Sequence, residues 1–362
     1  MQSEFNLAEA LSVHAHLLQL PGSLLMKSGR QDYVGAALCL RGTLYFKGAH
    51  MLIVREALCQ CLDDFRQYAE PHLKWLWREE PLDGKPLLDY SKAKPLRKLL
   101  AGLSEHHPFS VYYSSGEQSL DAPFWRFSIF AQAAWQAAMG DDLSVMEFSV
   151  PLLYQEQHPL HFLNLMHKFC HRLAPEHGHA GHAYNLSPTR RDANQPTEAF
   201  MAERMPGLDA GTAALLTTTP GFEPVSIKTV SWLTVLDHAR LERAGGVSAL
   251  RAQLPPSHFA FYDYGAGSII QSGAYPYLAG DAEDPRPAPY VLLNHLLKGI
   301  RCETVGPLHG GSHDGELRLV GWAADQWLKR LDVEDAAIPA WRSKLLDREP
   351  ALDASNSLIA SP

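Results

Sequence analysis

The sequence predicts an α+β fold: mixed or antiparallel sheets covered by helices, arranged as two similar lobes. Three observations lead there. Apolar residues alternate with period two over short runs. Between these runs they recur at a spacing of three to four. The second half of the chain repeats the strand–loop–helix theme of the first.

Residues 1–37 read as a helical extension ahead of the first lobe. From Leu38 to Phe46 the alternation is clean, with Leu38, Leu40, Leu44 and Phe46 on one side and Cys39, Arg41, Thr43 and Tyr45 on the other, as in a half-buried strand. Val54, Leu58, Cys61, Leu62 and Phe65 then fall on one face of an amphipathic helix, with Arg55, Asp63 and Arg66 outside. Trp125, Phe127 and Ile129 form a further strand. After a turn at Gly140-Asp141-Asp142, Met146, Phe148 and Val150 form the next. A helix starting near Pro159 turns Phe162, Leu165, Met166, Phe169 and Leu173 inward. Ser226 to Leu236 reads as a strand through Ile227, Trp232 and Val235. Phe259 to Ile270 reads as a hairpin about Gly265-Ala266-Gly267. Tyr290 to Leu297 is a short helix before another strand at Cys302. The polar stretch 190–224 marks the lobe boundary, giving lobes 38–190 and 191–335. The tail 336–362 loses its apolar period and is expected to be partly disordered from Asp347.

The 362 residues, 46% hydrophobic and 20% charged, supply ample material for a large core. A net charge of −8 argues against direct nucleic-acid binding, which needs a basic footprint, and suits an acidic surface meeting a basic partner. Five cysteines (Cys39, Cys59, Cys61, Cys170 and Cys302) are too few, and odd in number, for a disulfide framework. The start, MQSEFNLAEALSVHAH, lacks the basic-then-apolar pattern of a signal peptide. No apolar run approaches the ~20 residues that span a bilayer. The expectation is a soluble, cytoplasmic protein with no membrane contact.

Seven histidines lie between His158 and His182. His167 and His171, four apart on a helix, share a face, and His177 and His179 with His182 are expected in the loop that follows. This is the one pattern suggesting a metal-dependent hydrolase. Against it, no HExxH motif occurs, and Glu176 is the only acid nearby. Ser312-His313-Asp314 is not a triad, because consecutive side chains diverge. Gly265-Ala266-Gly267 lacks the third glycine of a dinucleotide loop and reads as a hairpin turn. Cys170 lies on the apolar side of its helix and reads as packing. No cofactor is expected. The aromatic residues suggest a binding surface: Tyr262-Asp263-Tyr264 at the hairpin, then Tyr275 and Tyr277 before the acidic Asp281, Glu283 and Asp284. Aromatic anchors with a charged rim suit a protein partner.

Several stretches carry a resemblance: RGTLYFKGAH and HLKWLWREEPLDGKPLLDYSKAKPLRKLL (within Arg41 to Leu100), LSVMEFSVPLLY from Leu143, the histidine-rich segment, RRDANQPTEAFMAERMPGLD from Arg190, and PLHGGSHDGELRLVGWAADQWLKRLD from Pro307. Over Leu38 to Asp332 the chain resembles the bacterial type VI immunity family, formerly a domain of unknown function. The resemblance implies a non-enzymatic protein that neutralises a cognate toxin of the type VI secretion system. Occlusion of the toxin's active site, or disruption of its assembly, is the expected mechanism. The absence of a signal peptide points to a toxin acting in the cytoplasm, such as a nuclease. An effector adaptor or chaperone is the other binding-protein reading, and a homodimer is left open.

Overall fold

The computed structural model describes residues 24–27, 32–140, 143–217, 226–310, 316–349 and 351–358. Strands β1 (Leu24–Lys27) and β2 (Tyr33–Phe46) lead into helix α1 (Leu52–Ala69). Next come β3 (Trp75–Glu79), β4 (Leu87–Asp89), α2 (Leu96–Ala101), β5 (Phe109–Ser114), β6 (Arg126–Ala131), α3 (Ala134–Ala138) and β7 (Ser144–Val150). They are followed by α4 (Leu152–Gln157), α5 (Pro159–Leu173), β8 (His177–Leu186), α6 (Arg191–Arg204) and α7 (Ala213–Thr217). The chain continues through β9 (Leu233–Asp237), α8 (His238–Arg243), α9 (Val247–Gln253), β10 (Phe259–Asp263) and β11 (Gly267–Ser272). It ends with α10 (Ala288–Leu297), α11 (Trp322–Leu328) and α12 (Ile338–Leu346).

The α+β class holds, and its sheet is antiparallel. Among the described residues the eleven strands form one sheet in the order β10-β11-β9-β8-β2-β7-β6-β5-β3-β4, with β1 paired to the start of β2. This sheet crosses the expected lobe boundary without a break: β8 pairs with β9 from His177↔Leu236 to Ala180↔Leu233. The 38–190 and 191–335 segments therefore share a single hydrogen-bonded ladder.

The long central strand β2 divides the molecule into two layers. Leu38, Leu40, Leu44 and Phe46 lie on the side where Phe148 of β7 and Phe127 of β6 meet α1 and α5. Phe148 stacks on Phe162 at 4.8 Å and meets Phe169 edge-on at 4.9 Å. Phe65 of α1 lies 5.5 Å from Phe127. Aromatic pairs at these separations add to the area they bury. Gly42 sits opposite Phe148 in the register, and a Cβ there would come within 2.5 Å of the ring, so the strand is glycine where the ring crosses it. Helix α5 begins with Pro159 at its first turn and ends at Ala174 in the left-handed region, φ +45°.

Several expectations are corrected by the structure. β2 is not half-buried: from Gly35 to Phe46 every residue is buried, and on the second face Arg41 pairs with Asp209 and Tyr45 stacks on the His177 ring. In the expected helical extension, residues 1–23 lie outside the described residues. The described part consists of β1 and the start of β2, where Val34 and Ala36 pair with β1. Of the expected 226–236 strand only residues 233–236 are strand, as part of β9. Ile227 makes one isolated parallel bridge to Arg301, and the backbone N–H of Cys302 donates to the Ile227 carbonyl at 3.0 Å, so no strand forms at Cys302. Here the side chain of Lys228 is drawn inward to Asp209, which interrupts a strand's alternation. The described part of the tail also folds. Trp341 and Leu345 of α12 are buried, and the Gln271 amide donates to the Asn356 carbonyl at 2.9 Å.

Candidate partner-binding surfaces

The second face of the sheet is built from strand positions that the apolar face leaves over. Alternation on β2, β7, β6 and β8 directs Arg41, Glu147, Arg126 and His179 to this side. Asp209 is the hub. Its carboxylate accepts from Arg41 at 2.8 Å and from the Lys228 ammonium at 2.7 Å, and it lies 3.2 Å from the His179 ring. Glu147 pairs with Arg126 and sits 3.6 Å from Arg41 Nε. Glu198 of α6 meets the His309 ring at 2.8 Å and accepts from the Gly211 N–H.

All of these groups are buried, so their charges survive only by mutual pairing. Burial alone would raise the Asp209 carboxyl. The charges of Lys228, His179 and Arg41 outweigh it and hold the group well below the usual carboxylate range. Burial lowers the Lys228 ammonium despite Asp209, and it lowers His179 likewise.

Between this face and helices α6 and α7 lies a cleft of about 320 Å³. Its floor is Tyr112, Arg126, Ser128, Glu147 and Arg41, and its walls include Arg191 and Glu198 of α6 and Leu215 of α7. The Arg126 guanidinium lies over the Tyr112 ring, 4.8 Å from its centroid. Sequence reading passed over this cleft. Its one visible signal was the charged residues set into otherwise apolar strands, as in Arg41 on β2 and Glu147 on β7.

The sequence-proposed histidines are not brought together. His177 and His179 lie on β8, not in a loop, and side with Tyr45. Tyr45 and the His177 ring stack at 4.4 Å on the face away from α5. His167 and His171 lie on α5 itself, their rings 4.6 Å apart, and His167 Nε2 sits 3.0 Å from the Asp263 carbonyl. The sheet separates the two pairs. Among the described residues, no three His, Cys, Asp or Glu side chains gather into a set able to hold a metal. Burial raises the Cys39 thiol to about 11, the Cys302 thiol to about 12 and the Cys170 thiol well above its usual value. All three therefore remain protonated at neutral pH. Ser312-His313-Asp314 lies outside the described residues.

The proposed contact residues divide by exposure. Tyr262 and Tyr264 are buried. Tyr262 donates to Gln271 of β11, and Tyr264 donates to the Pro175 carbonyl at 2.9 Å, so both hold their hairpin in place. Asp263 is exposed and accepts from the Gly265 N–H. Tyr275 is 52% exposed, whereas Tyr277 packs edge-on to Tyr290 at 5.8 Å. In the acidic loop, Asp281 is paired with Lys344 at 2.7 Å and Asp284 with Arg286 at 2.6 Å, while Glu283 is exposed. A second exposed apolar feature is the start of α1, where Leu52 is 80% and Ile53 77% exposed.

Comparison with known proteins fits this architecture. The family model described as type VI immunity for VRR-NUC matches residues 57–331. The Pseudomonas aeruginosa T6SS protein PA0821 has a similar structure, with a TM-score of 0.90 and 66% identity, covering 98% of each chain. No curated protein matches the sequence.

Proposed function

This chain belongs to the family of type VI immunity for VRR-NUC, and from that premise we propose that it is a binding protein that neutralises a nuclease toxin of the type VI secretion system inside the cell that makes it. The family match over residues 57–331 carries the reading. Neutralisation requires no chemistry from the inhibitor. It requires a stable surface that covers the toxin's active site or blocks its assembly. Such a surface needs roughly 800 Å² per partner, centred on a few well-packed anchors. Tyr275, Glu283 and the exposed start of α1 remain available for such contacts, whereas Tyr262 and Tyr264 serve the hairpin. The net charge of −8 favours encounter with a basic nucleic-acid-binding toxin.

The test is co-expression with the neighbouring toxin gene, followed by a growth assay and affinity capture. Growth rescue with a co-purifying complex is expected. The absence of both rescue and capture would overturn the reading, and capture without rescue would make the chain an export adaptor.

A further inference from the structure

We propose that the cleft between the polar sheet face and helices α6 and α7 is the seat of an acidic side chain supplied by the toxin, held by Arg191, Arg126 and Tyr112. The assignment rests on the immunity reading above and names the chemistry of one contact within it.

The argument begins with which groups in the cleft are already committed. Six charged residues line it: Arg41, Arg126 and Arg191 against Glu79, Glu147 and Glu198. Glu147 is taken by Arg126 and Arg41, and Glu198 by His309 and the Gly211 N–H. The cationic side is less fully used. Arg126 is 92% buried and spends its two terminal nitrogens on Glu147, Ser128 and Asn185, but its Nε has no hydrogen-bond partner among the described residues. The hydroxyl of Tyr112, beneath the Arg126 guanidinium, is buried and also unpartnered among the described residues. Arg191 lines the cleft from the first turn of α6 and makes no ion pair with any described residue. Arg191, Arg126 and Tyr112 all line this one cleft, so the groups face one space.

Buried donors left without acceptors cost free energy, and a native structure that keeps several of them around one opening is prepared for a guest. The guest must be an acceptor. A guanidinium beside a hydroxyl suits a carboxylate, which takes two oxygens' worth of bonds from such a fork. With Glu79 at the rim and the lining charges balanced three to three, the cleft favours a single carboxylate over a phosphate chain. A space of about 320 Å³ accommodates an Asp or Glu side chain with the backbone that carries it.

The test measures the affinity of the purified full chain for purified toxin, comparing wild type with Tyr112→Phe, Arg191→Gln and Arg191→Glu. Neither Tyr112→Phe nor Arg191→Gln removes a side-chain hydrogen bond or ion pair to a described residue, so their melting temperatures should match wild type. Each should weaken the complex roughly tenfold, chiefly through faster dissociation, and Arg191→Glu should weaken it further by repelling the guest. Wild-type binding with both Tyr112→Phe and Arg191→Gln unchanged would overturn the cleft as the seat while leaving the immunity reading in place. Tighter binding by Arg191→Glu would make the guest a cation and overturn the proposal. Failure of wild type to bind the toxin at all would remove the parent reading and this one with it.

Discussion

Three histidines on one strand give the protein a pH response that its composition would not reveal. Burial drives the His177 imidazole well below its usual value and lowers His179 against the pull of Asp209. It also pushes His182 down to about 4. In the unfolded chain these rings titrate near ~6.5. Unfolding therefore takes up protons between the two values, and stability falls as pH falls. The contribution is complete above about pH 6.5 and is lost toward the depressed folded values. Asp209, whose folded carboxyl is depressed, adds a loss in the same direction at lower pH, below its ordinary ~3.9. Urea unfolding at a series of pH values should show a constant midpoint from pH 8 to 7 and a steady decline below 6.5. A midpoint unchanged down to pH 5 would mean that the rings charge without cost in the folded state. The residue scale is also where sequence reading was least informative. His167, His171, His177 and His179 are close in the chain, but the first two lie on a helix packed on one face of the sheet and the last two point from a strand of that sheet to its other face.

At the scale of elements, β2 and α5 show how pattern becomes packing. The period-two run from Leu38 to Phe46 was legible as a strand, and the spacing from Phe162 to Leu173 was legible as a helix starting at Pro159. Gly42 interrupts the apolar side of β2, and only its neighbour across the ladder explains why. Gly42→Ala would place a methyl group 2.5 Å from the Phe148 ring, itself wedged between Phe162 and Phe169. Relief requires the ring or the strand to shift, so the substitution should cost about 1–3 kcal/mol in chemical denaturation. A fully stable Gly42→Ala protein would show that the aromatic layer is looser than its contacts imply. The first part of the expected 226–236 strand, residues 226–232, is not a strand, for a reason of the opposite kind. Its apolar residues fit, but Lys228 has to reach the buried Asp209, and no local pattern announces that partner.

For the whole molecule, the decisive feature is the continuous sheet. Two lobes read from a repeated theme imply two cores that unfold separately. The ladder from β10 to β4 passes through β8 and β9 without a break, and the buried apolar residues of both halves form one contiguous cluster. Calorimetry should accordingly show a single cooperative transition, and two resolved transitions would restore independent lobes.

The sequence alone determined the α+β class, the central strand and its helix, the hairpin at Gly265, and, through resemblance, the immunity family. These are encoded in local period, turn chemistry and motif order, which a linear reading can see. The tertiary structure decided what depends on residues far apart in the chain. It merged the expected lobes into one sheet, held the tail at Asn356 against β11, buried Tyr262 and Tyr264, and assembled Arg41, Glu147, Asp209 and Lys228 into one network. Burial of charge is the physical reason for that division. A buried ion is stable only beside its counter-ion, and the pairing of Arg41 with Asp209 spans 168 positions that no sequence window contains.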